Sequence, residues 1–245
     1  MKSFFCAVVL VSLWGCNNAG SEKKKSGPTY LQRVDQSLIK WQAEIKEAKK
    51  MVHDGDLITR AGMDVTSASL RNFNKQDKSF SHSGIAFIED GDVYVYHSYT
   101  GEENPNGEMQ RVSFDSFCNP YKNNSAGIFR YDINEQETKQ FGSLIRYYYN
   151  RKLKFDKKFD LKDDSEMYCA EIIYKTLAAA TFKRIVLPTT IVKNFNYKSP
   201  NYKGKTLKVF EYVALDNLYL NEHCKEIKRF SFDRLSLQDF SRQSE

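Results

Sequence analysis

Between residues 30 and 53 the apolar side chains Leu31, Val34, Leu38, Trp41, Ile45 and Met51 return at helical intervals among charged ones, with no Gly or Pro between them. That spacing predicts an amphipathic helix of several turns. Gly55 and Asp56 break it, and residues 57–59 begin something extended. The clearest local signal follows. Apolar, β-favouring runs at 83–88 and 93–99 flank Asp90 and Gly91, which together predict a hairpin. A further strand is expected at 127–131, and a helix at 135–151 through Phe141, Leu144, Ile145 and Tyr148. Residues 169–180 predict a second strong helix, with Cys169, Ile172, Ile173, Thr176, Leu177 and Ala180 on one stripe. Asp163, Asp164 and Ser165 precede it and are all helix-capping types. Farther on, 207–213 reads as a strand, and 217–224 and 235–242 as short helices. Strands and helices that alternate irregularly around a hairpin predict an α+β domain rather than a doubly wound parallel sheet.

The first residues change the picture of where the chain works. Lys2, a short apolar run from Phe4 to Trp14, then Gly15 and Cys16 predict a signal peptide over 1–15, too short to span a bilayer as a mature helix. Leu13, Trp14, Gly15 and Cys16 resemble a bacterial lipobox, which implies lipidation of Cys16 and a membrane-anchored protein of the cell envelope, periplasmic or surface-facing. Residues 16–28 are polar and rich in Lys, Ser and Gly, so they read as the lipidated cysteine and a flexible tether. Residues 29–245 remain as a single domain, long enough for a real core.

Composition narrows the function classes. The formal charge of +6 is scattered among Asp and Glu, which describes a solvated surface, and no basic cluster or fold motif of a nucleic-acid reader is present. No phosphate loop or dinucleotide fingerprint calls for a nucleotide cofactor. Of five cysteines, Cys6 leaves with the signal and Cys16 is the anchor, so Cys118, Cys169 and Cys224 remain. An odd number in an exported protein points to one working thiol, with Cys118 and Cys224 either bonded or unpaired. His53 and His223 lack the spacing of a metal site, and no metal is expected.

A thiol at a helix start meets unpaired backbone N–H groups that favour the nucleophilic thiolate. It also needs a base, and a polar group to orient that base. On the predicted hairpin His82 shares a face with the small residues Gly84 and Ala86, which would let the Cys169 helix approach closely. His97 ends the apolar stripe of the second strand, side by side with His82.

Taken in order, Gly55-Asp56-Leu57-Ile58, His82-Ser83-Gly84-Ile85-Ala86 and Tyr96-His97-Ser98 resemble the second half of an NlpC-like cell-wall peptidase domain. Here Tyr168-Cys169-Ala170-Glu171-Ile172-Ile173-Tyr174 follows those strands instead of preceding them. That order resembles the circularly permuted papain-like cysteine hydrolases of the YiiX and YaeF type, with Ala170 where Ser is usual and His97 where Glu is frequent. The resemblance covers about half the chain. It implies a central antiparallel sheet packed against the helix bearing a catalytic Cys169, with His82 as general base and His97 orienting its ring. It also implies an oxyanion site at the Cys169 N–H, with Tyr168 and Glu171 as candidate oxyanion or substrate contacts, and no cofactor.

The function expected first is hydrolysis of an amide in an envelope substrate such as a peptide, amino-acid conjugate or cell-wall fragment. Acyl transfer or ester and thioester cleavage on lipids is the second expectation. A non-catalytic envelope scaffold is the third.

Overall fold

A computed structural model describes residues 30–196 and 206–232. In chain order the elements are α1 (Tyr30–Lys49), β1 (Leu57–Gly62), α2 (Val65–Arg71), β2 (His82–Glu89), β3 (Asp92–His97), β4 (Gln110–Ser113) and α3 (Phe114–Phe117). These are followed by β5 (Asn123–Tyr131), α4 (Glu135–Asn150), α5 (Cys169–Ala180), β6 (Thr190–Asn196), β7 (Thr206–Tyr212), a 3-10 turn (Leu215–Leu218) and β8 (Cys224–Ser231). Six strands form one sheet in the order β4-β3-β2-β1-β5-β8, every neighbouring pair antiparallel, and β6 and β7 form a separate ribbon. The domain is thus α+β around a central antiparallel sheet. Residues 1–29, with the expected signal, Cys16 and tether, lie outside the described residues, as does the helix expected at 235–242.

The sheet separates two apolar layers. On one face Leu57, Ile85, Phe87 and Tyr96 pack with Ile172, Ile173 and Leu177 of α5 and with Phe141 and Ile145 of α4. On the other, Ile58, Ala86, Val93, Val95 and Ile128 pack with Ile45 and Ala48 of α1 and with Phe114 and Phe117 of α3. Cys118 belongs to this second layer and Cys224 packs against the first, so the sheet stands between them and both are free thiols. Each fully buried Ile or Leu of α5 contributes roughly 1.5–3 kcal/mol to holding that helix on the sheet.

The hairpin is fixed by its turn. Asp90 and Gly91 both take positive φ, 53° and 83°, the combination that matches the twist of two antiparallel strands. The small residues of β2 serve a different neighbour from the one their pattern suggests. Gly84 and Ala86 lie on the face away from α5, and a Cβ on Gly84 would stand 2.6 Å from Val95 Cγ1 and 2.7 Å from the Tyr96 carbonyl oxygen. The close approach is therefore that of β3, and α5 rests on the Ile85 and Phe87 face.

The start of α5 also differs from expectation. Its N-cap is Tyr168, whose backbone N–H donates to the Glu171 carboxylate at 3.3 Å. Asp163 instead accepts from Ser165 N–H in its own turn, and Asp164 pairs with Lys175. The stretch expected as a helix at 217–224 is a short 3-10 turn running into β8, a charged edge strand. It closes the sheet against β5.

Candidate active site

The N-terminus of α5, the start of β2 and the loop after β3 meet at one cavity of about 310 Å³, whose wall includes Cys169, His82, Tyr99 and Tyr168. The two rings that the hairpin brings together are in direct contact. His82 Nε2 lies 2.8 Å from His97 Nδ1, with the rings at 76° to each other. Tyr99 stacks on His97 at 4.9 Å, and Phe117 packs against His97 and His82 at 5.1 and 5.7 Å. These contacts fix both imidazoles. His82 Nε2 being engaged, Nδ1 is the nitrogen left for the cavity that His82 lines.

Cys169 opens α5 at the first helical position, where N–H groups lack partners within the helix. Burial nevertheless raises its pKa, so the resting group is a thiol and the expected thiolate is not the resting form. Opposing that rise are the hydroxyl and backbone amide of Ser83 and the N–H groups of Ala170 and Cys169 itself. The Ser83 hydroxyl is buried and makes no hydrogen bond of regular geometry, so we read it as a near neighbour of the sulfur rather than a bonded partner. Among the described residues no hydrogen bond joins the sulfur to either imidazole; what Cys169 and His82 share is the cavity wall.

Burial holds His82 well below the ordinary imidazole value, with Arg60 and His97 adding to the effect. It holds His97 down to about 3, again with Arg60 contributing. Arg60 itself is an unusual neighbour. Its guanidinium lies 4.8 Å over the Phe117 ring, its Nε is buried without a partner, and among the described residues it pairs with no carboxylate. The fold thus keeps the histidine pair neutral near pH 7, the state in which His82 can accept a proton. Two consequences have definite signs. The unfolded chain takes up protons below about 6.5 while the folded pair does not, so stability contributed by the pair's neutrality falls as pH drops from there towards 3. For a base at His82, the acid limb of kcat/KM is expected well below pH 6.5, and Arg60→Met moves it upward. A pH profile of both proteins checks this; an acid limb that Arg60→Met leaves in place contradicts it.

The remaining candidates lie elsewhere in the arrangement. Tyr168 lines the cavity, but its hydroxyl accepts from Val213 N–H at 2.7 Å and so is engaged in holding that segment. Glu171 is fully buried, caps α5 and stands 2.8 Å from Lys175 Nζ, an ion pair whose angle is poor for a hydrogen bond; burial pushes its pKa up to about 7. It is not part of the cavity wall among the described residues. Ser83 and Arg60 were not singled out from sequence. Alternation along β2 alone does place Ser83 on the face opposite His82, and Arg60 is the Cα partner of His82 across the β1–β2 ladder.

No family model matches the chain, and no curated protein matches it. Among solved structures the chain is similar to the crystal structure of metalloprotein yiiX from Escherichia coli O157:H7, with a TM-score of 0.59 and 13% identity over 74% of this chain and 99% of that one. The metal that this description implies has no donor set here: among the described residues no three His, Cys, Asp or Glu side chains gather, and His82 Nε2 and His97 Nδ1 face each other. What the similarity carries to this chain is a YiiX-like fold.

Proposed function

We propose that the protein is a cysteine-dependent hydrolase that cleaves an amide through a thioacyl intermediate on Cys169, in a circularly permuted papain-like arrangement. The observation that carries this reading is the single cavity wall shared by a helix-opening thiol and an imidazole whose far nitrogen is held by a second imidazole. In the tautomer this chemistry uses, His82 Nε2–H donates to His97 Nδ1 and His82 Nδ1 carries the lone pair. His82 takes the thiol proton as the sulfur adds to the carbonyl, and the Cys169 N–H at the helix start donates to the oxyanion. The imidazolium then gives its proton to the leaving amine. Water, deprotonated by His82, attacks the thioester and returns the thiol. Because thiol and base both rest neutral, the base acts during attack instead of storing a thiolate–imidazolium pair.

In this reading lipidated Cys16 anchors the enzyme in the cell envelope, where its amide-bearing substrate lies. Acyl transfer or thioester cleavage on lipids is a second reading, favoured by the apolar lining of the cavity.

Alkylation by iodoacetamide separates enzyme from scaffold. Cys169, in the cavity wall, is expected to react ahead of Cys118, whose thiol burial pushes far up, and Cys224, raised to about 12. His82→Ala is expected to slow that reaction about tenfold or more. Equal, slow labelling of all three thiols would support a non-catalytic scaffold.

A further inference from the structure

The cavity beside Cys169 also says what kind of group it accepts. Much of its wall is Leu70, Phe73, Phe155, Phe159, Tyr212 and Leu215. Phe73 stacks on Phe159 with centroids 6.0 Å apart and meets Tyr212 edge-on at 5.6 Å, so the aromatic side is a packed unit.

Four of the polar residues in that wall are turned to the protein's own backbone. Asn74 donates to the Phe80 carbonyl at 2.9 Å and accepts from Leu215 N–H at 3.2 Å. Ser81 Oγ accepts from Gly62 N–H at 3.0 Å and donates to the Arg60 carbonyl at 3.4 Å. Tyr212 donates to the Phe73 carbonyl at 2.7 Å, and the Tyr168 hydroxyl is held at Val213. Of the other polar wall residues outside the His82 and Cys169 pair, Thr66 and Lys157 are exposed to solvent, and Thr100 and Tyr99, whose ring stacks on His97, are half-buried. A sugar or peptide chain pushed against the Phe73, Phe159 and Tyr212 side would lose water without gaining matching hydrogen bonds there. An apolar group loses nothing comparable.

Resting on the cysteine-hydrolase reading, we propose that the substrate is an amide of a medium-length apolar acyl group, with the acyl chain seated against the Phe73, Phe159 and Tyr212 wall and its carbonyl at Cys169. A cavity of about 310 Å³ is about twice the size of one that admits benzene, which suits chains of roughly eight carbons.

The test is a series of fatty acyl p-nitroanilides, acetyl to dodecanoyl, in which only chain length changes. The wild-type kcat/KM is expected to rise about three- to fourfold for each added methylene, then level off where the chain outruns the cavity. Phe159→Ala is expected to flatten that rise. A separate arm needs no turnover: calorimetry on Cys169→Ala with octanoyl anilide, acetyl anilide and muramyl dipeptide. Preferential binding of the octanoyl compound together with the chain-length rise in turnover supports the proposal; the same preference with no cleavage by the wild type would overturn the hydrolase reading and the substrate assignment with it, and leave a cavity that binds an apolar acyl chain. Turnover indifferent to chain length, or tighter binding of muramyl dipeptide, overturns the proposal and leaves the hydrolase reading standing.

Discussion

Cys169→Ala is expected to lower kcat/KM for an amide substrate by about a thousandfold or more while the protein stays folded. The loss is that large because no other cysteine lines the cavity, and of its hydroxyls that of Tyr168 is held at Val213 and that of Ser81 lies between the Gly62 N–H and the Arg60 carbonyl. The fold should survive because the change removes one sulfur from a helix held by Ile172, Ile173 and Leu177 on the sheet. Anilide hydrolysis measured beside thermal unfolding checks both halves. Activity within about tenfold of the parent would place the nucleophile elsewhere.

A second large effect is expected far from the thiol. Asp56 is fully buried at the entry to β1, and its carboxylate accepts from His53 N–H at 2.8 Å and from Arg130 Nε and Nη2 at 2.7 and 2.8 Å. Its carbonyl also accepts from Ala86 N–H at 2.8 Å, so one residue ties the segment after α1 to β2 and β5. Asp56→Ala leaves the Arg130 guanidinium with the Met51 carbonyl as its remaining hydrogen-bond partner. Because Arg130 keeps about a quarter of its side chain in water, the expected cost is about 3 kcal/mol, towards the low end for a broken buried pair. Urea unfolding reads it directly, and a loss under about 1 kcal/mol would show that the pair is not what anchors β1. Asp56→Asn, which keeps an acceptor for His53, is expected to cost less.

The parts of this fold legible in sequence are those governed by local rules. The hairpin follows from Asp90 and Gly91 between two apolar runs, and the stripe of α5 gives its limits, Cys169–Ala180, directly. The side-by-side placement of His82 and His97 follows from strand alternation and the turn. What alternation does not give is which face a helix will cover. His82, Gly84 and Ala86 share one face and Ser83, Ile85 and Phe87 the other; α5 rests on the second because the larger apolar side chains there bury more area. For that reason Ser83, on the face that α5 covers, is the β2 residue whose polar groups oppose the burial-driven rise of the thiol's pKa. The same limit explains the start of α5. Asp163 and Asp164 have capping chemistry, but the cap is set by Glu171 reaching back to Tyr168 N–H, a preference that depends on Glu171 being buried beside Lys175. β8 was hidden because Lys225, Glu226, Lys228 and Arg229 give it no apolar pattern; its place comes from ladder pairing with β5. The depressed histidines are likewise a long-range result. They depend on burial and on Arg60, which arrives from β1.

The most direct measurement is rapid-quench mass spectrometry of the protein mixed with p-nitrophenyl octanoate, with the acylated peptide mapped. The account predicts one octanoyl group, as a thioester on Cys169, formed before steady state and about a hundredfold more slowly in His82→Ala. Acyl groups spread over Cys118, Cys224 and lysines, or a Cys169 adduct forming equally fast without the His82 ring, would contradict it.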